Sequence, residues 1–374
     1  MARKLQSDKW LFLATLALIC ASVVMVYSAS ALVALERFQQ PYLFVTRQTM
    51  WAALGIAVMS IVMRIDYRSY RNDKMVWAMV GIVVLMLVAV LFSRPINGTR
   101  RWFGIGGFGI QPSELAKLAA IFFTALILER RRHRINELGY SLVPIGLIVG
   151  GLVGLILLQP DFGTAVSLLA VVSMMVFAAG INYRYILGAA LLALPALYVI
   201  MMQAEYRRRR LLTFMDPWAD PLGDGFQIIQ SLIAVGTGGV FGKGLMQGVQ
   251  KLFYLPEPFT DFIFAVISEE TGFIGATLVV LSFSVIAWRG LRASMRAPDS
   301  FGAFLALGIT MMLVLQAFVN VSVVLGLMPT KGIPLPLVSN GGSSMLINLL
   351  GIGVLLNISQ HQQVETGAVE TGAA

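Results

Sequence analysis

Ten mostly apolar stretches, at 10–30, 48–63, 75–93, 112–129, 141–159, 163–181, 185–203, 261–288, 301–326 and 343–359, leave this chain few ways to fold. Each approaches the ~20 residues that carry a helix through the hydrocarbon of a bilayer. In lipid the backbone must satisfy its own polar groups, and a helix does so within one segment. With 57% hydrophobic and only 13% charged residues, a water-soluble globule would lack the polar surface it needs. The expected fold is all-α: a polytopic membrane protein of ten transmembrane helices with a large outer loop between helices 7 and 8.

Orientation follows from the basic residues in the connections. With the N-terminus cytoplasmic, fifteen Lys and Arg fall on the inner side, including Arg64, Arg68, Arg71, Arg130 to Arg132 and Arg289, against six in the short outer loops. Both termini are then cytoplasmic. The long connection 203–260 carries Arg207 to Arg210, Lys243 and Lys251, and long loops cross largely regardless of charge. "DPWADPLGDGFQ" and "GTGGVFGKGL" make it a folded outer cap with short helices. The division expected is a cytoplasmic segment 1–9, one membrane domain 10–359 and a disordered cytoplasmic tail 360–374. "YSAS" gives the first stretch some likeness to a signal peptide, but its apolar run from Trp10 to Val26 reads as a retained span.

The net charge of +9 is topogenic in such a chain. No basic stripe interleaved with aromatics points to nucleic acid. The single cysteine, Cys20, allows no intrachain disulfide, and His133 and His361 lie in polar segments, so no His/Cys metal cluster is expected.

Polar residues at membrane depth gather toward the outer side. "NGTRRWFGIGGFGIQPSELAKLAAIF" opens the fourth span with Pro112 in the first turn. Glu114 follows, where an acid suits the helix dipole. Lys117 is a cation near the unfavourable end, three residues on and able to pair with Glu114. Its alternative role is to face an outer cavity that holds an anion. Asp161 in "LLQPDFGTA" is placed to cap the sixth helix, or to position a sugar or cation. Pro329, Pro334 and Pro336 forbid a regular helix in 325–341, so this segment packs as a covered loop. "NGGSSM" then enters the last span, with Ser343 or Ser344 able to cap and free N–H groups suited to phosphate. Asp216, Asp220 and Asp224 fit turns and caps better than a hard-metal site.

"YLPEPFTDFIFAVISEE" sets Thr260 and Asp261 at the start of the eighth span. A carboxylate at the edge of an apolar medium becomes more basic, which suits a general base on a hydroxyl. Glu269 lies eight residues on, ~12 Å along a helix, and Glu270 is on the opposite face from Asp261. That pair is expected to hold structural ion pairs.

Taken together, "NGTRRW", "QPSELAK", "LQPDFGTA", "DPWADPLGDGFQ", "QSLIAVGTGGVFGKGL", "QKLFYLPEPFTDFIFAVISEETG" and "MPTKGIPLPLVSNGGSS" resemble the SEDS family (shape, elongation, division, sporulation), in order and over nearly the whole membrane domain. "QKLFYLPE" and "PTKG" resemble its division branch more than its elongation branch. The resemblance implies a peptidoglycan glycosyltransferase of the plasma membrane. It would polymerise lipid II at the outer face with inversion, at the division septum. Asp261 would carry the essential carboxylate, as base on the acceptor 4-hydroxyl. Glu114, Lys117, Asp161, Lys331, Arg100 and Arg101 match polar positions around an outer cavity, with Ser343, Ser344, Glu257 and Thr260 as further substrate contacts. A class B penicillin-binding protein and other divisome proteins would be partners, and no nucleic acid. No cofactor is certain; a divalent cation, Mg²⁺ or Mn²⁺, could share the pyrophosphate's charge.

Two departures matter. Pro258 and Phe259 stand where the family commonly has A-H before T-D, so no histidine adjoins the acid. Asn340 replaces the tyrosine of S-Y-G-G. The competing readings are a lipid II flippase or transporter, an elongation-type polymerase, and a non-catalytic scaffold. Transporters favour midplane sites and paired repeats, and no convincing repeat is present.

Overall fold

The computed structural model describes residues 7–95, 99–105, 108–203, 205–252, 254–330 and 332–361. Lys331 and the tail from 362 lie outside the described residues. The chain is predominantly helical: α1 (Lys9–Phe38), α2 (Leu43–Val62), α3 (Asp73–Leu91), α4 (Pro112–Arg131), α5 (Val143–Leu158), α6 (Phe162–Ala178), α7 (Tyr183–Gln203), α8 (Glu205–Met215), α9 (Phe226–Gly238), α10 (Ile263–Met295), α11 (Ser300–Val324) and α12 (Gly342–His361). Among the described residues seven helices are long and apolar enough to cross a membrane: α1, α2, α3, α5 with the turn before it, α10, α11 and α12. The described residues of this segment, 325–330 and 332–341, are free of helix, as its prolines require.

α4 is the polar spine of the bundle. Ser113 to Leu128 is buried almost without interruption, against α3, α11 and α6. Pro112 sits in its first turn, where no N–H is needed. A small hairpin precedes it: β1 (Phe103–Ile105) pairs antiparallel with β2 (Phe108–Ile110). Apolar residues alternating with glycine on both sides of Gly106-Gly107 are the sequence signal for that turn.

α1 gives a scale for the rest. Asp8 caps its start by accepting from the N–H groups of Trp10 and Leu11, and pairs with Arg289 at 2.5 Å. Further along, the Ser22 hydroxyl donates to the Val338 carbonyl at 2.9 Å and the Ser28 hydroxyl to Glu270 at 2.7 Å. At 1.5 Å per residue these contacts lie ~21 and ~30 Å from Asp8. Thr260 belongs to the nearer level, because the Ser339 hydroxyl donates to its carbonyl at 2.6 Å.

Glu270 is therefore ~9 Å farther from the Asp8 end than Thr260 is. α10 leaves Asp261 heading away from that end, breaks at Gly272 and returns to Arg289. Gly272 has φ 68° and ψ −165° inside the helix. A Cβ there would collide with the backbone of Gly242 and Val240, so only glycine fits. This corrects the straight-helix expectation for Glu269 and Glu270: the pair lies at the turn, beyond Asp261 rather than deeper.

The turn is locked to the cap. Lys243 pairs with Glu269 at 2.8 Å and Lys251 with Glu270 at 2.6 Å. Glu269 also accepts from the N–H groups of Val249 and Gln250, and Glu270 from that of Met246 and from the Ser28 hydroxyl. Both carboxylates are fully buried. The cap's other acids serve turns: Asp216 accepts from the Trp218 N–H, and Asp220 from those of Gly223 and Asp224.

Candidate active site

Four loops converge where α4, α6, α10 and α12 begin: the run after β2, the 159–161 turn, 255–262 and 332–341. Hydrogen bonds stitch them into one floor. The Asn340 N–H donates to the Phe259 carbonyl at 2.9 Å. The Asn320 amide donates to the carbonyls of Asp261 and Ile333, at 2.7 and 2.8 Å. Gln48 donates to Ser22 and to the Ser339 carbonyl. Three non-glycine residues here have positive φ: Pro160 at 31°, Glu257 at 49° and Leu337 at 64°. Strain of this kind concentrates at functional sites.

Asp261 lies half-buried on this floor, in the turn ahead of α10. It does not cap the helix; Phe262 holds the cap position without a side-chain bond. Gly332 presses against it so closely that a Cβ would stand 3.1 Å from Oδ2. Burial and the negative charge of Glu257 push the Asp261 carboxyl up to about 6; Arg210 opposes them and Asp161 adds a smaller push. The result is a carboxylate that takes a proton readily near neutral pH, the property a general base needs.

Asp161 has the cap role the sequence suggested, accepting from the Thr164 N–H and hydroxyl at 3.3 and 2.9 Å. It also accepts from the Gln111 amide at 3.1 Å and the Ser113 hydroxyl at 3.3 Å. Its geometry ties the start of α4 to that of α6. Glu114 and Lys117 pair at 2.9 Å, each 4% exposed. Lys117 also donates to Gln316 Oε1 at 2.7 Å, and the Gln316 amide donates to the Pro334 carbonyl at 3.0 Å. The expectation of a lysine facing an open cavity is corrected here: Lys117 is sealed beneath the floor and reaches the site through Gln316 and the proline loop. Glu114 Oε2 is buried without a hydrogen-bond partner among the described residues.

The remaining candidates spread around this centre. Arg101 donates to the carbonyls of Gln159 and Pro160, at 2.9 and 2.5 Å, while the exposed Arg100 donates to Leu91 O at 3.0 Å. Thr260 donates to the Glu257 carbonyl at 3.1 Å, and Glu257 itself is exposed. Ser343 and Ser344 are not caps: the first accepts from the Gln111 N–H and the second from Asn348, both inside α12. Lys331 lies outside the described residues. Among those residues no group of three His, Cys, Asp or Glu side chains is placed to hold a metal ion.

Three participants escaped the sequence reading. Gln316 and Asn320 stand four apart in an otherwise apolar α11, on one face, and that spacing was the available signal. Arg210, whose Nη1 donates to the Thr330 carbonyl at 3.1 Å, is one of four consecutive arginines, and nothing in the run singles it out.

A buried helical bundle with an acid on its loop floor and a cation beneath defines a polytopic membrane protein with a polar site at one end. Residues 9–364 match the cell cycle protein family typified by FtsW, RodA and SpoVE. The chain is 44% identical over 358 residues to a probable peptidoglycan glycosyltransferase FtsW of Geobacter metallireducens, covering 95% of each chain. It is 43% identical over 366 residues to the stage V sporulation protein E of Bacillus subtilis, covering 96% of this chain and 99% of that one. Among solved structures, a chain from a peptidoglycan synthase complex that coordinates polymerization and crosslinking superposes with a TM-score of 0.80 at 31% identity, covering 96% of this chain and 100% of that one. The rod shape determining protein RodA of Thermus thermophilus gives 0.71 at 27%, covering 96% and 99%. The chain belongs to the FtsW/RodA/SpoVE family.

Proposed function

We propose that this chain is a peptidoglycan glycosyltransferase that polymerises lipid II at the outer face of the plasma membrane, with Asp261 as general base. The observation that carries the assignment is Asp261 itself: half-buried, with its carboxyl pushed up to about 6, on a floor joined from four loops. In the reaction the acceptor 4-hydroxyl attacks the donor's anomeric carbon. Its proton passes to the Asp261 carboxylate, the new glycosidic bond forms with inversion, and the bond to the pyrophosphate breaks. The leaving group carries its charge away as the undecaprenyl diphosphate. Arg100, Arg101 and Lys331 are the basic groups this reading assigns to that charge, the electrostatic term that often dominates catalysis. Lys117 supports them from below. A divalent cation shared between the pyrophosphate and fewer than three side chains remains compatible with this reading, since among the described residues no group of three His, Cys, Asp or Glu is placed to hold one.

The same reading takes α4, α6 and α7 as the three spans beyond the seven, with both termini cytoplasmic. α4 stands apart from the seven because it carries Glu114 and Lys117 near its start and Glu129 near its far end. The partner is a class B penicillin-binding protein, in keeping with the synthase complex whose chain this one resembles. The FtsW names of the relatives favour septal synthesis.

The deciding assay is glycan polymerisation from lipid II by the purified chain with a penicillin-binding partner that has no glycosyltransferase of its own. Wild type should form polymer and Asp261→Asn should not. Equal polymer from both would move the base to another acid. No polymer from either, with folding and partner binding intact, would favour transport and call for a liposome translocation assay.

A further inference from the structure

The cap encloses a cavity of about 520 Å³ that the reaction above leaves unused, well inside the ~300–1,000 Å³ range of ligand clefts. It lies between α8 and the start of α9. Glu205, Arg209, Arg210 and Asp224 supply its charge, and Leu222 and Phe226 its apolar wall. Its far wall includes Thr330, whose carbonyl accepts from Arg210. Thr330 stands two residues before Gly332, which presses on Asp261. Arg210 lines this cavity and its charge also acts on Asp261, which ties the two together.

The charge pattern selects the ligand. A pyrophosphate subsite would need an excess of positive charge. Here two guanidinium groups face two carboxylates. The Arg209–Glu205 pair, at 2.6 Å, is 61% and 70% exposed, and exposed pairs are held weakly. Arg209 can thus exchange its partner for a ligand carboxylate at little cost, while Glu205 or Asp224 receives an ammonium. A neutral sugar could hydrogen-bond to these groups but would leave both signs of charge unmatched. A peptide with both an amine and carboxylates on aliphatic stems matches the charges and the apolar wall together.

We propose that this cavity is a specificity subsite for the zwitterionic peptide branch of the substrate, binding its free amine at Asp224 and Glu205 and its carboxylate at Arg209. The inference rests on the proposed polymerase function. Strands that are later crosslinked must carry branches with an amine and an acyl group, so the branch passes close to Asp261 whenever its sugar does. The subsite would make the enzyme read the branch as it joins the sugars.

Two measurements test it. In the first, a soluble tetrapeptide with one side-chain amine and two carboxylates is titrated by calorimetry into the full-length chain in nanodiscs. Acetylating the amine, or Asp224→Asn, should each weaken binding about tenfold, the effect of one charged hydrogen bond. Together they should do less than the sum of the two effects, since Glu205 still faces the amine when Asp224 is replaced. Amidating the carboxylates and Arg209→Gln should form a second such cycle. Absence of binding, or additive losses in both cycles, would overturn the subsite. In the second, KM for lipid II with free and acetylated amine is compared in wild type and Asp224→Asn with the partner present. The same non-additive tenfold rise in KM, with kcat held, is expected; equal sensitivity of both enzymes to acetylation would overturn it. If wild type polymerises yet the peptide cycles are flat, the subsite fails and the function stands. If wild type does not polymerise at all, the function fails, and the calorimetry alone decides the subsite.

Discussion

Among the described residues two Lys–Glu pairs are buried in this bundle, and they are finished differently. Glu270 accepts from Lys251, from the Ser28 hydroxyl and from the Met246 N–H, so both oxygens are engaged. Glu114 accepts from Lys117 through one oxygen, while Oε2 has no partner among the described residues. Removing charge from water is costly and is repaid only when the remaining lone pairs are also satisfied. The Glu270 pair meets that condition and acts as an anchor for the cap. The Glu114 pair meets it in part, beneath the floor that carries Asp261. In this comparison the cap's anchor is fully satisfied and the pair beneath the site is not.

The sharpest break of that contrast is at Asp261. Asp261→Asn should lower kcat for polymerisation by ~10²- to 10⁴-fold, the usual contribution of a general base, while the thermal midpoint stays near that of wild type. A matching fall in both would make Asp261 scaffold instead. Lys251→Met should do the reverse. Leaving Glu270 buried without its cation costs about 3–5 kcal/mol, read as a lower unfolding temperature in detergent, with turnover per folded molecule retained. Gly272→Ala should destabilise by about 1–3 kcal/mol, because a left-handed backbone and a filled contact with Gly242 are both forced on alanine. A wild-type unfolding curve for that variant would refute the broken geometry of α10.

A gentler test uses pH. The Asp261 carboxyl is raised to about 6, so the base form is lost as pH falls through that value. Polymerisation should drop about tenfold between pH 7 and pH 5 and level off above pH 7, and the residual rate of Asp261→Asn should lack this limb. Linkage has the opposite sign: an acid with a raised folded pKa favours the fold at low pH and withdraws that support as pH rises toward 6. Activity and stability should therefore move in opposite directions across this window. Glu114→Gln should have the smallest effect, a midpoint shift of a few degrees. Its amide oxygen still accepts from Lys117, and Gln316 holds the cation from the other side.

Much of this arrangement was legible as local chemistry. Pro112 at a helix start, Asp161 as a cap, the i to i+3 pairing of Glu114 with Lys117 and the helix-free proline segment all depend on neighbours in sequence. The seven long apolar helices were visible for the same reason. The reversal of α10 was not. A helix-period pattern runs unbroken through 263–295, and only the backbone of Gly239 to Gly244, folded against Ser268 to Ile274, makes Gly272 a corner. The second partner of Lys117, Gln316, was not legible because it is 199 residues away. Lys243 and Lys251 read as loop charges until Glu269 and Glu270 came beside them.

The anchor also fixes an order of assembly. Every side-chain partner of Glu269 and Glu270, from Ser28 through Lys243, Met246, Val249, Gln250 and Lys251, precedes them in the chain. As the ribosome releases α10, the groups that neutralise its two acids have already been made. Lys117 must wait for Gln316, and Asp261 for the loop that follows it. During synthesis the partners of the cap's two acids are therefore in place before all the residues of the reactive floor have been made.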